Sequence, residues 1–144
     1  MADDAALPAP PTARTGQRER AVVLVNTKAG SGRDAPWAAS LAAKFADAGV
    51  DAEVRLVHDG AGLAEHARRA IAAQPRLVVA AGGDGTINTI ARLVADSRAT
   101  LGVLPMGTLN HFAKDLGVPI ELDAAVVAIA NGRDIEVDFG EVAD

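Results

Sequence analysis

The chain has 144 residues, and 14 Lys and Arg against 19 Asp and Glu give it a formal net charge of −5, so its length suits one domain of ordinary size. The absence of cysteine excludes a disulfide scaffold, a thiolate metal site and cysteine catalysis. An acidic chain with 3% aromatic residues also lacks the clustered cations and stacking rings that nucleic acid requires, so no nucleic-acid partner is predicted.

Residues 1–20 are rich in Pro, Ala and charged side chains and show no hydrophobic periodicity. This composition predicts a disordered tail ahead of a folded domain over residues 21–144. The first residues carry acids where a signal peptide would carry lysines, and no apolar run reaches the roughly 18 residues of a membrane span. We therefore expect a cytoplasmic protein that makes at most transient contact with the inner membrane surface.

The folded region begins with a continuous apolar run, Ala21–Val25, which predicts a strand buried on both faces. A polar loop with glycines follows and leads to Asp34, a predicted N-cap, with Pro36 in the first turn of the helix. Apolar side chains then recur every fourth residue, at Trp37, Leu41 and Phe45, and predict a helix that ends at Gly49.

The alternation of strand and helix continues along the chain. The pattern predicts strands over 52–57, 77–81 and 101–104, a helix over 63–73, a helix with Ile87, Ile90, Ala91 and Val94 on one face, a short helix ending at Leu116, and a last helix with Val126, Val127 and Ala130 that Gly132 ends. Alternating elements with apolar strands predict an α/β fold: an open parallel sheet with helices on both faces, a Rossmann-like three-layer architecture. Beyond it, Ile135–Phe139 alternates as a half-exposed strand.

Three loops with glycines each follow a strand and open a helix. In a parallel sheet these loops share the edge formed by the carboxyl ends of the strands, where open α/β folds bind ligands. Glycine lets the backbone approach a ligand closely, and helix N-termini present N–H groups and a positive dipole end. The predicted ligand is an anion, and a phosphate chain fits best.

The second loop, Gly82–Thr86, is the most specific of the three. Asp84 would place a carboxylate beside phosphates, where Mg²⁺ or a substrate hydroxyl would be its partner. The alternative is an ordinary strand–helix turn in which Asp84 is the N-cap. The first loop lacks the Gly-Lys-Ser/Thr of a P-loop, and its Lys28 either pairs with a phosphate or is solvated. In the third loop, Gly107–Asn110, the neighbouring His111 is a candidate to face the pocket.

Val25–Gly30, Gly83–Asn88 and Leu104–Ala113 resemble the three loop motifs of the diacylglycerol kinase catalytic domain family, which includes sphingosine kinases and bacterial lipid kinases. Their order and spacing agree from about Ala21 to Val142. The resemblance implies a kinase that transfers the γ-phosphate of ATP to a lipid alcohol with Mg²⁺ as cofactor. It also implies that this chain is the nucleotide-binding half, and that a β-rich lipid-binding domain supplies the general base and most Mg²⁺-linked acids.

Carried over by residue, the resemblance makes Asp84 the catalytic residue, closest to the transferred group, and names no metal ligand in this chain. The nucleotide-binding residues that it implies are Asn26, Thr27, Lys28, Ala29, Gly30, Gly83, Asp84, Gly85, Thr86, Ile87, Asn88, Thr89 and Thr108. Three positions depart from the family pattern. Thr27 replaces a common Pro and costs loop rigidity, Thr89 stands where many relatives have Glu, and His111 replaces the usual Asp.

Two other functions fit the same loops. An NAD kinase shares the Gly-Gly-Asp-Gly-Thr sequence, but the stretch from Gly107 to Ala113 resembles the lipid kinases more. A nucleotide-binding module without catalysis is favoured by Thr89 in place of Glu. For the 144 residues alone we expect weak nucleotide binding and no kinase activity. Whether the chain forms a homodimer stays open.

Overall fold

The computed structural model of the chain describes residues 19–27, 33–107 and 109–132. Four sequence predictions therefore lie outside the described residues. They are the tail before residue 19, the first-loop residues Lys28, Ala29 and Gly30, the third-loop residue Thr108, and the strand at Ile135–Phe139.

The centre of the described fold is a sheet of four parallel strands in the order β2-β1-β3-β4. The strands are β1 (Glu19–Asn26), β2 (Val50–Val57), β3 (Leu77–Gly82) and β4 (Thr100–Pro105). Every residue of β3 is buried, as its uninterrupted apolar sequence predicts for a central strand covered on both faces. The predicted parallel sheet is thereby confirmed.

Strand β1 begins at Glu19, earlier than the predicted start at Ala21. Glu19 and Arg20 pair with Val50 and Asp51 at the start of β2. The hydrophobic pattern did not indicate this extension, because Glu19 and Arg20 are charged. Backbone hydrogen bonds at the end of a strand form whether the side chains are polar or apolar.

Within the described residues, five helices connect and follow the strands. They are α1 (Ala35–Asp47), α2 (Leu63–Ala72), α3 (Asp84–Ala95), α4 (His111–Leu116) and α5 (Leu122–Asn131), and a single 3₁₀ turn over Gly60–Gly62 precedes α2. Asp34 is the N-cap of α1, as predicted, and its carboxylate accepts the N–H of Trp37 at 3.1 Å. Gly49 follows α1 at a φ of +93°, a conformation that glycine adopts without a steric penalty.

The helices cover the sheet on both faces and give three layers. Alternate residues of β1 point to opposite layers: Val22 and Leu24 pack with residues of α2, α3 and α4, whereas Val23 and Val25 pack with residues of α1 and α5. The predicted apolar face of α3 is confirmed, since all four of its members are buried: Ile87, Ile90, Ala91 and Val94.

Of the apolar residues that indicate α5, Val127 does not face the core. Val126 is buried, but the neighbouring Val127 is 51% exposed. Consecutive helical residues lie about 100° apart around the axis, so Val127 lies about 200° from the buried Ala125 and outside the face that packs on the sheet. Ala125 is the buried neighbour of Val126, and its small size lets α5 approach the sheet closely.

Within the part of the chain that the structure describes, none of the helices combines the length and the apolar character that crossing a membrane would require.

Candidate functional site

The candidate site lies where the carboxyl ends of β1 and β3 meet in the middle of the sheet. The chain leaves β1 toward β2 on one side, and it leaves β3 toward β4 on the other, so this is the topological switch point at which open α/β sheets bind ligands. All strands are parallel, and the loops after β1, β3 and β4 therefore share this edge. The predicted convergence of the three loops is confirmed by this topology.

A side-chain hydrogen bond joins the first loop to the second across the switch point. Asn26 is the last residue of β1, and its Nδ2 donates to the Oγ1 of Thr86 at 2.9 Å. Thr86 lies in the first turn of α3 and is only 7% exposed. Position 82 must be glycine, because a Cβ there would lie 2.8 Å from the Cβ of Thr86.

We expect Asn26 and Thr86 to be energetically coupled. A double-mutant cycle with Asn26→Ala and Thr86→Val should give an interaction free energy of about 1 kcal/mol in urea denaturation, the usual value of one hydrogen bond. The cycle is needed because Asn26 makes another interaction besides this bond. The loss of stability in Asn26→Ala alone is therefore larger than the free energy of the Asn26–Thr86 hydrogen bond. Additive effects within about 0.3 kcal/mol would show that the bond contributes nothing.

The carboxylate of Asp84 bridges the second loop to the third. Its Oδ2 accepts the N–H of His111 at 3.0 Å, and its Oδ1 accepts the N–H of Phe112 at 2.9 Å. Both amides belong to the first turn of α4. The N-cap of α3 is Gly83, and no side chain caps that helix. The alternative of Asp84 as the N-cap of its own helix is therefore wrong.

These contacts change the acidity of Asp84. The two backbone N–H bonds, with smaller help from the positive charges of His111 and Lys114, hold the pKa of the carboxyl below its ordinary value of 3.8. Hydrogen bonds to the charged form stabilise that form, which is the direction observed.

The depressed pKa predicts a loss of stability in acid. The Asp84 contribution is fully present above pH 3.8 and disappears as the pH falls through the lower pKa of the folded state. The difference in unfolding free energy between the wild type and Asp84→Asn should therefore be constant from pH 7 to about pH 5 and shrink below pH 4. Asp96→Asn, at the exposed C-terminal end of α3, is the control. A difference that grows on acidification would contradict this assignment.

The third loop folds on one buried asparagine. Asn110 has a φ of +53° and is 5% exposed. Its Oδ1 accepts the N–H of Gly107 at 2.9 Å, and its Nδ2 donates to the carbonyl oxygen of Gly107 at 3.1 Å. Asparagine tolerates the left-handed conformation better than other non-glycine residues, because its short side chain bonds the local backbone.

The second and third loops also touch through their backbones. A Cβ at Gly107 would lie 2.5 Å from the Cα of Gly83, and Met106 donates its N–H to the carbonyl oxygen of Gly82 at 2.8 Å. Together with the Asp84 bridge, these contacts make the second and third loops a single unit.

The first loop has a substitute for the proline that the family commonly carries. The Oγ1 of Thr27 donates to the carbonyl oxygen of Val57 at 3.3 Å and lies 3.0 Å from the Nδ1 of His58. These contacts tie the start of the loop to the end of β2, so the rigidity that the sequence predicted to be lost is restored in part by hydrogen bonding.

The remaining predicted site residues divide between the surface and the core. Gly85 and Asn88 are exposed, and Thr89 is half-buried. Ile87 is fully buried in the core, and its N–H donates to the carbonyl oxygen of Gly83 at 3.0 Å. Its side chain therefore supports the loop from below and does not reach the surface of the site.

The predicted residues that the structure brings together are Asn26, Gly83, Asp84 and Thr86. Sequence reasoning missed Asn110 and His58 as site residues, although both lie in the contacts above. A weak signal existed for Asn110, because asparagine is enriched in turns and in the left-handed conformation. His58 had no signal, since its partner Thr27 is 31 positions away.

The fold and the site define an open α/β domain with glycine loops at the switch point of its sheet. The family model of the diacylglycerol kinase catalytic domain matches residues 20–142, so the chain belongs to that family. The resemblance seen in the three loop motifs is confirmed.

Individual relatives agree with this assignment. The chain is 35% identical over 127 residues to a diacylglycerol kinase of Bacillus subtilis, covering 86% of this chain and 42% of that protein. It is 33% identical over 117 residues to a Klebsiella pneumoniae protein named "Probable lipid kinase YegS-like", covering 80% of this chain and 39% of the relative. A crystal structure of a diacylglycerol kinase from Bacillus anthracis superposes with a TM-score of 0.66 at 28% identity, covering 80% of this chain and 44% of that one. The chain thus spans about two fifths of the length of the relatives it matches.

Proposed function

We propose that this domain binds the phosphates of ATP at the carboxyl edge of its sheet, as the nucleotide-binding part of a lipid kinase that transfers the γ-phosphate to a lipid hydroxyl. The observation that carries the proposal is the joining of all three loops at the switch point, through Asn26–Thr86 and the Asp84 bridge, in a chain of the diacylglycerol kinase catalytic domain family.

The N-terminus of α3 supplies the charge complementarity. Among the described residues no side chain caps this helix, and a helix N-terminus presents N–H groups and a positive dipole end that favour phosphate oxygens. A Cβ at Gly85, the second residue of α3, would meet no described atom within 4 Å. The proposal places a phosphate in this open space at the helix start.

Phosphoryl transfer suits a domain of this kind, because the protein contributes positioning and charge stabilisation and little covalent chemistry. The half-buried Asn26 and the buried Thr86 hold the end of β1 against the first turn of α3 without any nucleotide. Groups that are held in place in advance lose less conformational entropy on binding than groups that must be ordered around a ligand.

Mg²⁺ enters this proposal as the counter-ion of ATP and not as a resident metal. Among the residues that the structure describes, no group of three or more His, Asp or Glu side chains could hold a metal ion. The carboxylate nearest the loops, that of Asp84, already accepts two N–H groups. These residues do not form a magnesium site by themselves.

The acceptor site is proposed to lie in the part of the relatives that this chain does not match. The relatives are more than twice as long as the matched segment. An open sheet edge cannot by itself exclude water from a reacting phosphate, which a kinase requires. Under this proposal the present chain binds nucleotide and does not phosphorylate lipid.

Calorimetric titration with Mg²⁺-ATP tests the nucleotide site. We expect binding by the wild type and a loss of at least tenfold in affinity for Gly85→Val, because the isopropyl group fills the space above the helix start. Ala95→Val, on the exposed last turn of the same helix, is the matched control and should bind like the wild type. No binding by the wild type, or equal binding by all three proteins, would overturn the proposal.

Incubation with ATP and diacylglycerol in detergent micelles tests the division of labour. We expect no phosphorylated lipid above the background without protein. Rapid formation of phosphorylated lipid by this chain would show that the acceptor site lies within it.

A further inference from the structure

The contacts of Asp84 differ from those that its motif suggests. A carboxylate in a glycine loop beside phosphates is expected to hold a metal ion or to accept a proton from the attacking hydroxyl. In this structure each of its two oxygens instead accepts one backbone N–H, at 3.0 and 2.9 Å, from residues 27 and 28 positions further along the chain.

Helix α4 explains why this carboxylate is needed there. The first N–H groups of a helix have no partner within the helix, and the side chain of the N-cap residue ordinarily satisfies one of them. The N-cap of α4 is Asn110, but it makes no such bond, because its side chain is committed to Gly107. Asp84 provides the missing acceptor from another loop, and its negative charge lies at the positive end of the α4 dipole.

We propose that Asp84 is a positioning residue that docks the third loop onto the second, and that it affects nucleotide binding through this docking. Its importance for phosphate binding rests on the function proposed above, whereas the docking itself does not. The Gly83–Gly107 backbone contact lies beside the bridge, so the carboxylate fixes the distance between the two loops at the point where they touch.

The docking role is separate from metal coordination. Each oxygen of Asp84 uses one acceptor site for its N–H group, and a carboxylate has about four such sites in all. Docking accounts for the observed contacts, and the metal dependence of binding tests coordination on its own.

Amide hydrogen exchange in the absence of nucleotide tests the docking. In Asp84→Ala we expect the amides of His111 and Phe112 to exchange at least tenfold faster than in the wild type, because both lose a charged acceptor. Asp84→Asn retains a single carbonyl oxygen and should protect only one of the two amides. Asp96→Ala, at the other end of α3, is the control. Unchanged exchange of both amides in Asp84→Ala would overturn the proposal.

The metal dependence of ATP binding separates docking from coordination. The ratio of ATP affinities with Mg²⁺ and with EDTA should be the same for the wild type and Asp84→Asn, although both affinities fall in the variant. A ratio that collapses to one in Asp84→Asn would show that Asp84 acts through the metal. If the wild type binds no ATP under either condition, the proposed function fails, while the exchange of the His111 and Phe112 amides still decides the docking.

Discussion

Replacing Gly107 by alanine is expected to destabilise the domain by about 3 kcal/mol, at the upper end of the usual cost of overpacking. The new Cβ would lie 2.5 Å from the Cα of Gly83, and the obstacle is backbone that no rotamer change can move. The third loop must therefore shift away from the second, which also stretches the Asp84 bridge. We expect the affinity for Mg²⁺-ATP to fall together with stability.

Urea denaturation of two glycine variants checks this prediction. Gly85→Ala is the matched control, since its Cβ meets no atom within 4 Å and alanine is the better helix former. It should raise the stability by about 0.5 kcal/mol. Equal stability of Gly107→Ala and the wild type would show that the two loops are not in contact.

Replacing Ile87 by alanine is expected to cost about 3 kcal/mol. This side chain is fully buried under the second loop, in the core layer of α2, α3 and α4, and its removal leaves a cavity that a close-packed interior cannot fill. Ile87→Val removes one methylene group and should cost about 1 kcal/mol.

Val127→Ala is the control for the core substitutions, because Val127 is also an aliphatic residue in a helix but is itself 51% exposed. We expect a change within about 0.5 kcal/mol, as for surface substitutions in general. A large loss for Val127→Ala together with a small loss for Ile87→Ala would mean that the two residues have exchanged environments, and the packing of α3 and α5 described here would be wrong.

The elements of this fold could be predicted because their signals are local. The four apolar residues of α3 recur at helical spacing, and β3 is an uninterrupted apolar run between turn residues. In α5 the local signal was incomplete: two adjacent valines mark the helix, and packing against β4 and α1 decides that Val126 is the buried one.

The contacts within the site could not be predicted, because they depend on the order of strands in the sheet. Alternating strands and helices indicate a parallel sheet but leave its strand order open. Asn26 reaches Thr86, 60 positions away, only because β1 and β3 are neighbours. The Asp84 bridge similarly requires β3 beside β4. The motif therefore indicated a loop that lies at the switch point, whereas the partners of its aspartate depend on the three-dimensional arrangement.

The site also shows how a family motif tolerates substitution. Thr27 takes the place of a common proline, and the Oγ1 contacts to Val57 and His58 hold the loop start by hydrogen bonds where proline would restrict φ. Proline stabilises a loop by restricting φ in the unfolded chain, whereas Thr27 does so by hydrogen bonding in the folded chain. Both devices keep the first residue after β1 in place, so the departure at this position is compatible with the proposed phosphate site.

The central claim is that nucleotide binds at the joined loops, and backbone NMR of the chain titrated with Mg²⁺-ATP tests it most directly. We expect saturable shifts of the amide signals of Gly83, Gly85 and Gly107, and none at Gly49 and Ala99, which precede β2 and β4 at the opposite edge of the sheet. Shifts confined to that opposite edge, or no shifts at millimolar nucleotide, would contradict the assignment of this site.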